Sequence, residues 1–296
     1  MNSHLPASLT LSFTGFSQRG GGTDHHNDGW GIAFFESESD SAMPGKGVRH
    51  FVDKASAATS PIAQMLKNYP IKSHNVVAHV RKATVGRVSL DNCHPFVREL
   101  WGRNWVFAHN GDLKNYAPKL HGSFRPVGTT DSELAFCWLM QELSKFHVGV
   151  PSVAELTNSL RELVPTIARH GTFNFLLSNG QALWAHTSTK LHYVLRAHPF
   201  KEVHLKDEDI RVDLAELNSL NDRLAIVVTE PLTRDEDWIA MTPGQLQVFV
   251  DGVVSACSGY CDGPSTPPAA VVSIQCEATC AASSACKNMS ATSKPV

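Results

Sequence analysis

The sequence is short of long apolar runs, of net charge and of early cysteine, and each shortage removes a class of protein. No apolar stretch approaches the roughly 20 residues of a membrane-spanning helix. Met1 to Thr10 has neither the basic start nor the apolar core of a secretory signal, so the cytoplasm is the expected setting. Only 18% of residues are charged and the formal net charge is -2, which gives no electrostatic ground for binding nucleic acid or an anionic membrane. The loop Arg19-Gly20-Gly21-Gly22 lacks the Lys-Ser/Thr pair of a phosphate cradle. His25, His26 and Asp28 are metal-ligand types, but adjacent side chains on extended chain point to opposite faces, so no metal site is expected there. No cysteine precedes Cys93.

What is present is a chain of 296 residues, 42% hydrophobic, long enough to bury a full core. Strand-like runs fall at 32–35, 48–52, 76–80, 105–108, 191–195, 224–229 and 246–250. Residues 173–177 and 182–186 read as a hairpin closed by Asn179-Gly180 in a type I′ turn. Ser60-Pro61 opens a helix whose Ile62, Met65, Leu66 and Tyr69 are expected to form one core face. Ser152-x-x-Glu155 opens another with an apolar stripe. Strands cluster at both ends with amphipathic helices between them, an order that fits an α+β fold of packed sheets flanked by helices.

The most informative stretch runs from Ala78 to Glu133, where four polar signatures follow apolar runs. They are His79-Val80-Arg81-Lys82-Ala83-Thr84, Asn92-Cys93-His94-Pro95, His109-Asn110-Gly111-Asp112 and Thr130-Asp131-Ser132-Glu133. Asn110-Gly111 alone is a hairpin-turn signal. No second strand follows directly, though, and an Asn amide beside an unobstructed Gly N–H is also a donor pair suited to an oxyanion. Thr130-x-x-Glu133 is a capping box that puts Asp131 in a first helical turn, where a carboxylate is favoured. Arg81 and Asp131 are the pair of types that a pocket for a free amino acid requires, a fork for its carboxylate and a carboxylate for its ammonium.

Taken in order, the four signatures resemble the glutaminase domain of the class II glutamine amidotransferases, in the small stand-alone branch of these N-terminal-nucleophile hydrolases. The resemblance implies a four-layer αββα sandwich over about residues 12–254, with no metal and no cofactor. It implies that Arg81, with Thr84 beside it, binds the substrate α-carboxylate, that Asp131 holds the α-ammonium, and that Asn110 and Gly111 form the oxyanion hole. Asn92, His94 and Pro95 fall in a loop lining the same pocket. The ligand implied is glutamine or a γ-glutamyl compound, and with no synthase region following, the ammonia acceptor is water or a separate subunit; some relatives work with a peptidase partner.

The family's nucleophile is a Cys at the mature N-terminus whose own α-amine acts as base. Here the chain reads Met1-Asn2-Ser3-His4, and bulky Asn2 favours retention of Met1, so as written there is no N-terminal thiol. Either the start lies a few residues downstream of the true one, clipping the first strand and its Cys, or this is a non-catalytic relative, a glutamine-binding subunit or sensor. The retained pocket residues favour the first. A third reading uses Cys93 as an internal nucleophile, although Cys93 and His94 diverge on extended backbone.

From residue 255 to 296 the chain turns to Ala, Ser, Thr, Pro and Cys, with Cys257, Cys261, Cys276, Cys280 and Cys286 among them. A segment so poor in large apolar residues is expected to be a disordered tail; metal binding by its cysteines is the alternative, against which their spacing speaks.

Overall fold

The computed structural model describes residues 1–8, 10–24, 26–36, 47–69, 72–84, 86–207 and 209–255. The expectations for the tail fall outside these apart from Ser255, as does His25. In chain order the first strands are β1 (Asn2–Ser8), β2 (Trp30–Phe35), β3 (Val48–Asp53), β4 (Lys72–Val80), β5 (Phe96–Leu100) and β6 (Arg103–Leu113). After them come β7 (Gly171–Ser178), β8 (Leu183–His186), β9 (His192–Ala197), β10 (Glu202–His204), β11 (Arg211–Asp213), β12 (Arg223–Val228), β13 (Ile239–Ala240), β14 (Leu246–Val250) and β15 (Val253–Val254). The helices are α1 (Thr10–Gln18), α2 (Pro61–Lys67), α3 (Asp131–Phe146), α4 (Val153–Ala168) and the short α5 (Leu214–Leu217).

Side-chain parity along the strands builds the layers. Every residue of β2 is buried: Trp30, Ile32 and Phe34 pack with Phe13 of α1 and Ala63 and Leu66 of α2, while Ala33 and Phe35 face the other way. On β6, Trp105 and Phe107 pack under α3 and α4, and Val106 and Ala108 join Ala33, Phe35 and Val77. Strands apolar on both faces are what two stacked sheets with helices outside demand. One sheet has the order β13-β9-β12-β1-β4-β2-β3 and the other β15-β14-β8-β7-β6-β5. Two stacked sheets with helices on both outer faces make the four-layer αββα sandwich that the resemblance implies.

Several local expectations are corrected. Asn2–Ser8, not assigned from sequence, is a strand inserted between β4 and β12. Its pairing with β4 shifts register between Asn2 and Ala7, around Pro6, which has no N–H to give a ladder. On α2 only Ala63 and Leu66 are buried, whereas Ile62 and Met65 are exposed and Tyr69 lies under the Arg49 guanidinium. A helix of seven residues offers its sheet little more than one i, i+3 pair.

The turn chemistry also differs. β6 runs on through Asn110-Gly111, whose partners on β7 are Asn174 and Phe173, so this dipeptide is neither turn nor loop. Asn179-Gly180 does connect β7 to β8, but Gly180 has positive φ and Asn179 does not; the Asn179 side chain instead accepts from the Gln181 and Ala182 amides, an Asx turn rather than type I′. The two-residue turn with positive φ at both positions joins β5 to β6 and is Trp101-Gly102.

Candidate active site

Four backbone segments, with His26 and Thr172 beside them, line one cavity of about 250 Å³. β4 delivers His79 and Arg81 with Lys82 and Thr84 beyond, β6 delivers His109 to Asp112, the Asn92-to-Pro95 segment delivers His94, and the start of α3 delivers Thr130, Asp131 and Ser132. All six residues singled out from sequence, Arg81, Thr84, His94, Asn110, Gly111 and Asp131, line it.

Arg81 is buried, not a surface ion-pair partner. Its guanidinium donates to the carbonyls of Asp28, Gly86 and Arg87, each at 3.3 Å, long for such bonds. Asp28, weighed from sequence as a metal-ligand type, organises the turn that follows β4. Its N–H donates to the Arg81 carbonyl, its carboxylate accepts from the Ala83 N–H at 2.8 Å, and the Arg81 N–H donates to the Gly29 carbonyl at 2.7 Å. The turn after β4 is thereby fixed. Asn92 ties the same turn to the α3 entrance, donating to the Arg87 carbonyl and to Thr129 Oγ1 and accepting from the Thr129 N–H.

At the α3 entrance Thr130 caps the helix by accepting from the Glu133 N–H. The expected reciprocal bond is absent: the buried Glu133 carboxylate accepts from the Val127 and Gly128 amides and pairs with Arg98. Asp131 Oδ2 accepts from the Leu113 N–H at 2.7 Å. That bond gives the phase of β6. The Lys114 N–H donates to His170 O on the β7 side, so by strand alternation the amides of Asp112 and Asn110 also face β7, and those of Leu113 and Gly111 face the α3 side. β5 pairs with β6 only as far as Phe107, so nothing from β5 covers Gly111. A Cβ at Gly111 would stand 1.9 Å from the Thr172 carbonyl oxygen.

The histidines differ in how they are held. His109 Nε2 lies 2.9 Å from the Thr172 carbonyl, which can only accept, so Nε2 carries the proton and Nδ1 accepts from the Ser132 hydroxyl at 2.8 Å. Burial lowers its pKa. His94 packs between the tilted rings of His79 and Phe96, and neither of its ring nitrogens has a hydrogen-bond partner among the described residues. Burial, and after it the neighbouring His79, His109 and Arg81, hold His94 well below the ordinary imidazole range. His79 is lowered to about 3, by burial first and then by His109, His26 and Arg81. The pocket wall therefore carries neutral imidazoles at physiological pH.

Cys93 is buried but does not line the pocket. Burial pushes its thiol up to about 11, so it is neither placed nor ionised to act as a nucleophile. Among the described residues no cluster of three or more His, Cys, Asp or Glu is arranged to hold a metal ion, and no helix is long and apolar enough to cross a membrane.

With this geometry in hand, comparison with known proteins identifies the family. A model of the class-II glutamine amidotransferases matches residues 1–269. Two proteins named as candidate glutamine amidotransferases are similar over most of their length. One, from Haemophilus influenzae, is 46% identical over 252 residues, spanning 85% of this chain and 83% of that one. The other, YafJ of Escherichia coli K12, is 44% identical over 253 residues, spanning 85% and 96%. A crystal structure from Pseudomonas aeruginosa, described as a predicted glutamine amidotransferase, aligns with a TM-score of 0.65 at 41% identity, over 81% of this chain and 91% of that one. The chain belongs to the class II glutamine amidotransferases.

Proposed function

We propose that residues 1–254 act in the cytoplasm on the γ-amide of glutamine or of a γ-glutamyl compound, through a thioester formed on a cysteine preceding Met1. The observation that carries this reading is the convergence of Arg81, Asp131 and the Asn110-Gly111 pair on one cavity. Arg81 would bind the ligand's α-carboxylate with Thr84 beside it, Asp131 its α-ammonium, and His94 would line the side-chain end. The cysteine's own α-amine takes the thiol proton, the thiolate attacks the amide carbon, the oxygen that becomes negative is held by the Asn110 side chain and the Gly111 N–H, and the same proton passes to the departing nitrogen so that ammonia leaves. Water then splits the thioester to give the acid and free thiol. Ammonia goes to water or to a separate subunit, a peptidase or synthase partner being the form that subunit would take.

Two features support a cysteine upstream. The Met1 α-amine is buried, donates to the Val76 carbonyl at 2.8 Å, and is lowered to about 5 by burial; a peptide N–H at that spot makes the same bond with no charge to desolvate. β1 pairs with β4 from Val76 toward Lys72, and five further extended residues, about 17 Å of strand, would run beside β4 to Arg81. A second reading, a glutamine-binding subunit without chemistry, is favoured by the lack of any cysteine among the described lining residues.

Ammonia release separates them. The chain beginning at Met1 is expected to release none, and a chain extended upstream to a Met-Cys start is expected to release it and to be labelled at that thiol by a glutamine-like electrophile. In the extended enzyme Asn110→Ala should lower kcat by about 10² to 10³. Turnover by the chain as given would overturn the upstream thiol; binding of glutamine without turnover by either form would establish the second reading.

A further inference from the structure

Asn174 stands directly across the ladder from Asn110, buried, and every polar atom of its side chain is committed. Its Oδ1 accepts from Thr187 Oγ1, from the Ser188 and Thr189 amides and from Thr189 Oγ1. Its Nδ2 donates to Thr189 Oγ1 at 2.9 Å and to the Asn110 carbonyl at 3.1 Å. Residues 187–189 join β8, in one sheet, to β9, in the other, so this one side chain fastens the crossover between sheets to the strand that carries the pocket donors.

We propose that Asn174 is a positioning residue that orients and polarises the Asn110–Gly111 peptide, so that the Gly111 N–H is presented to the ligand's γ-carbonyl. This rests on the reading of Asn110 and Gly111 as carbonyl donors. The phase of β6 makes Asn110 and Asn174 a pair that exchanges backbone hydrogen bonds, so the Asn110 carbonyl accepts from the Asn174 amide as well as from its Nδ2, filling both lone pairs. In a trans peptide the N–H points opposite to the C=O. Pinning the Asn110 oxygen from the β7 side therefore aims the Gly111 hydrogen at the cavity. Two bonds on the oxygen also draw charge through the amide and strengthen its N–H as a donor. Nothing in hydrophobic periodicity marks such a residue.

The test compares glutamine with norvaline, which has the same head and a propyl side chain without a carbonyl, on the full chain. Asn174→Asp retains an acceptor for residues 187–189 and loses the donor to Asn110; Asn174→Thr is the second variant should Asp not fold. The expected result is a loss of glutamine affinity of about tenfold, the size of one hydrogen bond, with norvaline affinity moving less than about twofold. In the unmutated protein the Gly111 amide resonance should shift on adding glutamine and stay in place with norvaline. Equal weakening of both ligands would make Asn174 merely structural and overturn the proposal, as would a Gly111 amide that ignores glutamine while both ligands bind. An unmutated chain that binds neither ligand would remove the amino-acid pocket itself, and this proposal with it.

Discussion

Gly111 is required by geometry before any chemistry is considered. Its missing side chain lets the Thr172 carbonyl approach, and the same carbonyl accepts a hydrogen bond from His109 Nε2, so the glycine holds β6, β7 and the His109 tautomer together. Gly111→Ala should therefore destabilise the fold by about 3 kcal/mol, read as a lowered urea midpoint. A midpoint equal to that of the parent would mean that β7 moves aside freely. That Arg81, Asp131, Asn110 and Gly111 share one cavity was legible in the sequence, because the four ordered signatures that carry them follow apolar runs and resemble one family's set. The roles of Asp28 and Asn174 were not, since each acts by bonding to a backbone atom distant in sequence; the Asp28-Gly29-Trp30-Gly31 run marks the place but not the bond. Asn110-Gly111 also carried a turn signal that the structure does not use, while the I′ turn fell on Trp101-Gly102, a pair that few rules would select.

At the scale of elements, strand positions with apolar residues on both faces were readable and their ends were not. β6 continues through Leu113 because β7 pairs with it throughout, and pairing register is a tertiary fact. β1 was missed because its sequence, with Ser3, His4 and Pro6, lacks alternation; its place is set by β4 and β12 on either side. The α3 entrance depends on Glu133, whose buried carboxylate holds residues 127–128 and Arg98. Glu133→Gln should cost about 3 kcal/mol by leaving Arg98 without its counter-charge, and it should loosen the segment that carries Thr130 and Asp131. Calorimetric melting checks it, and an unchanged melting temperature would show that the tether is dispensable.

For the molecule as a whole, buried neutral histidines set a pH dependence. His94, His109 and His186 are each lowered by burial, so between the ordinary imidazole pKa of about 6.5 and their folded values the unfolded chain binds protons that the folded chain refuses. Their contribution is intact above pH 6.5 and is lost as the pH falls, with a slope of up to about 1.4 kcal/mol per pH unit for each histidine. The Met1 α-amine, lowered to about 5, extends the same trend upward to about pH 8. The melting temperature should fall steeply from pH 6.5 to 4.5 and less steeply in His94→Phe; a flat profile would contradict the burial of neutral imidazoles.

The central claim is that the cavity reads an amino-acid head with one cation and one anion, and glutamine calorimetry on single variants tests it most directly. Arg81→Ala and Asp131→Ala should each abolish measurable binding, because each leaves one ligand charge unpaired in a buried site, a loss on the order of 3 kcal/mol or more. Arg81→Lys should also bind poorly, since the fork is lost. Glutamine affinity unchanged in either alanine variant would contradict the account.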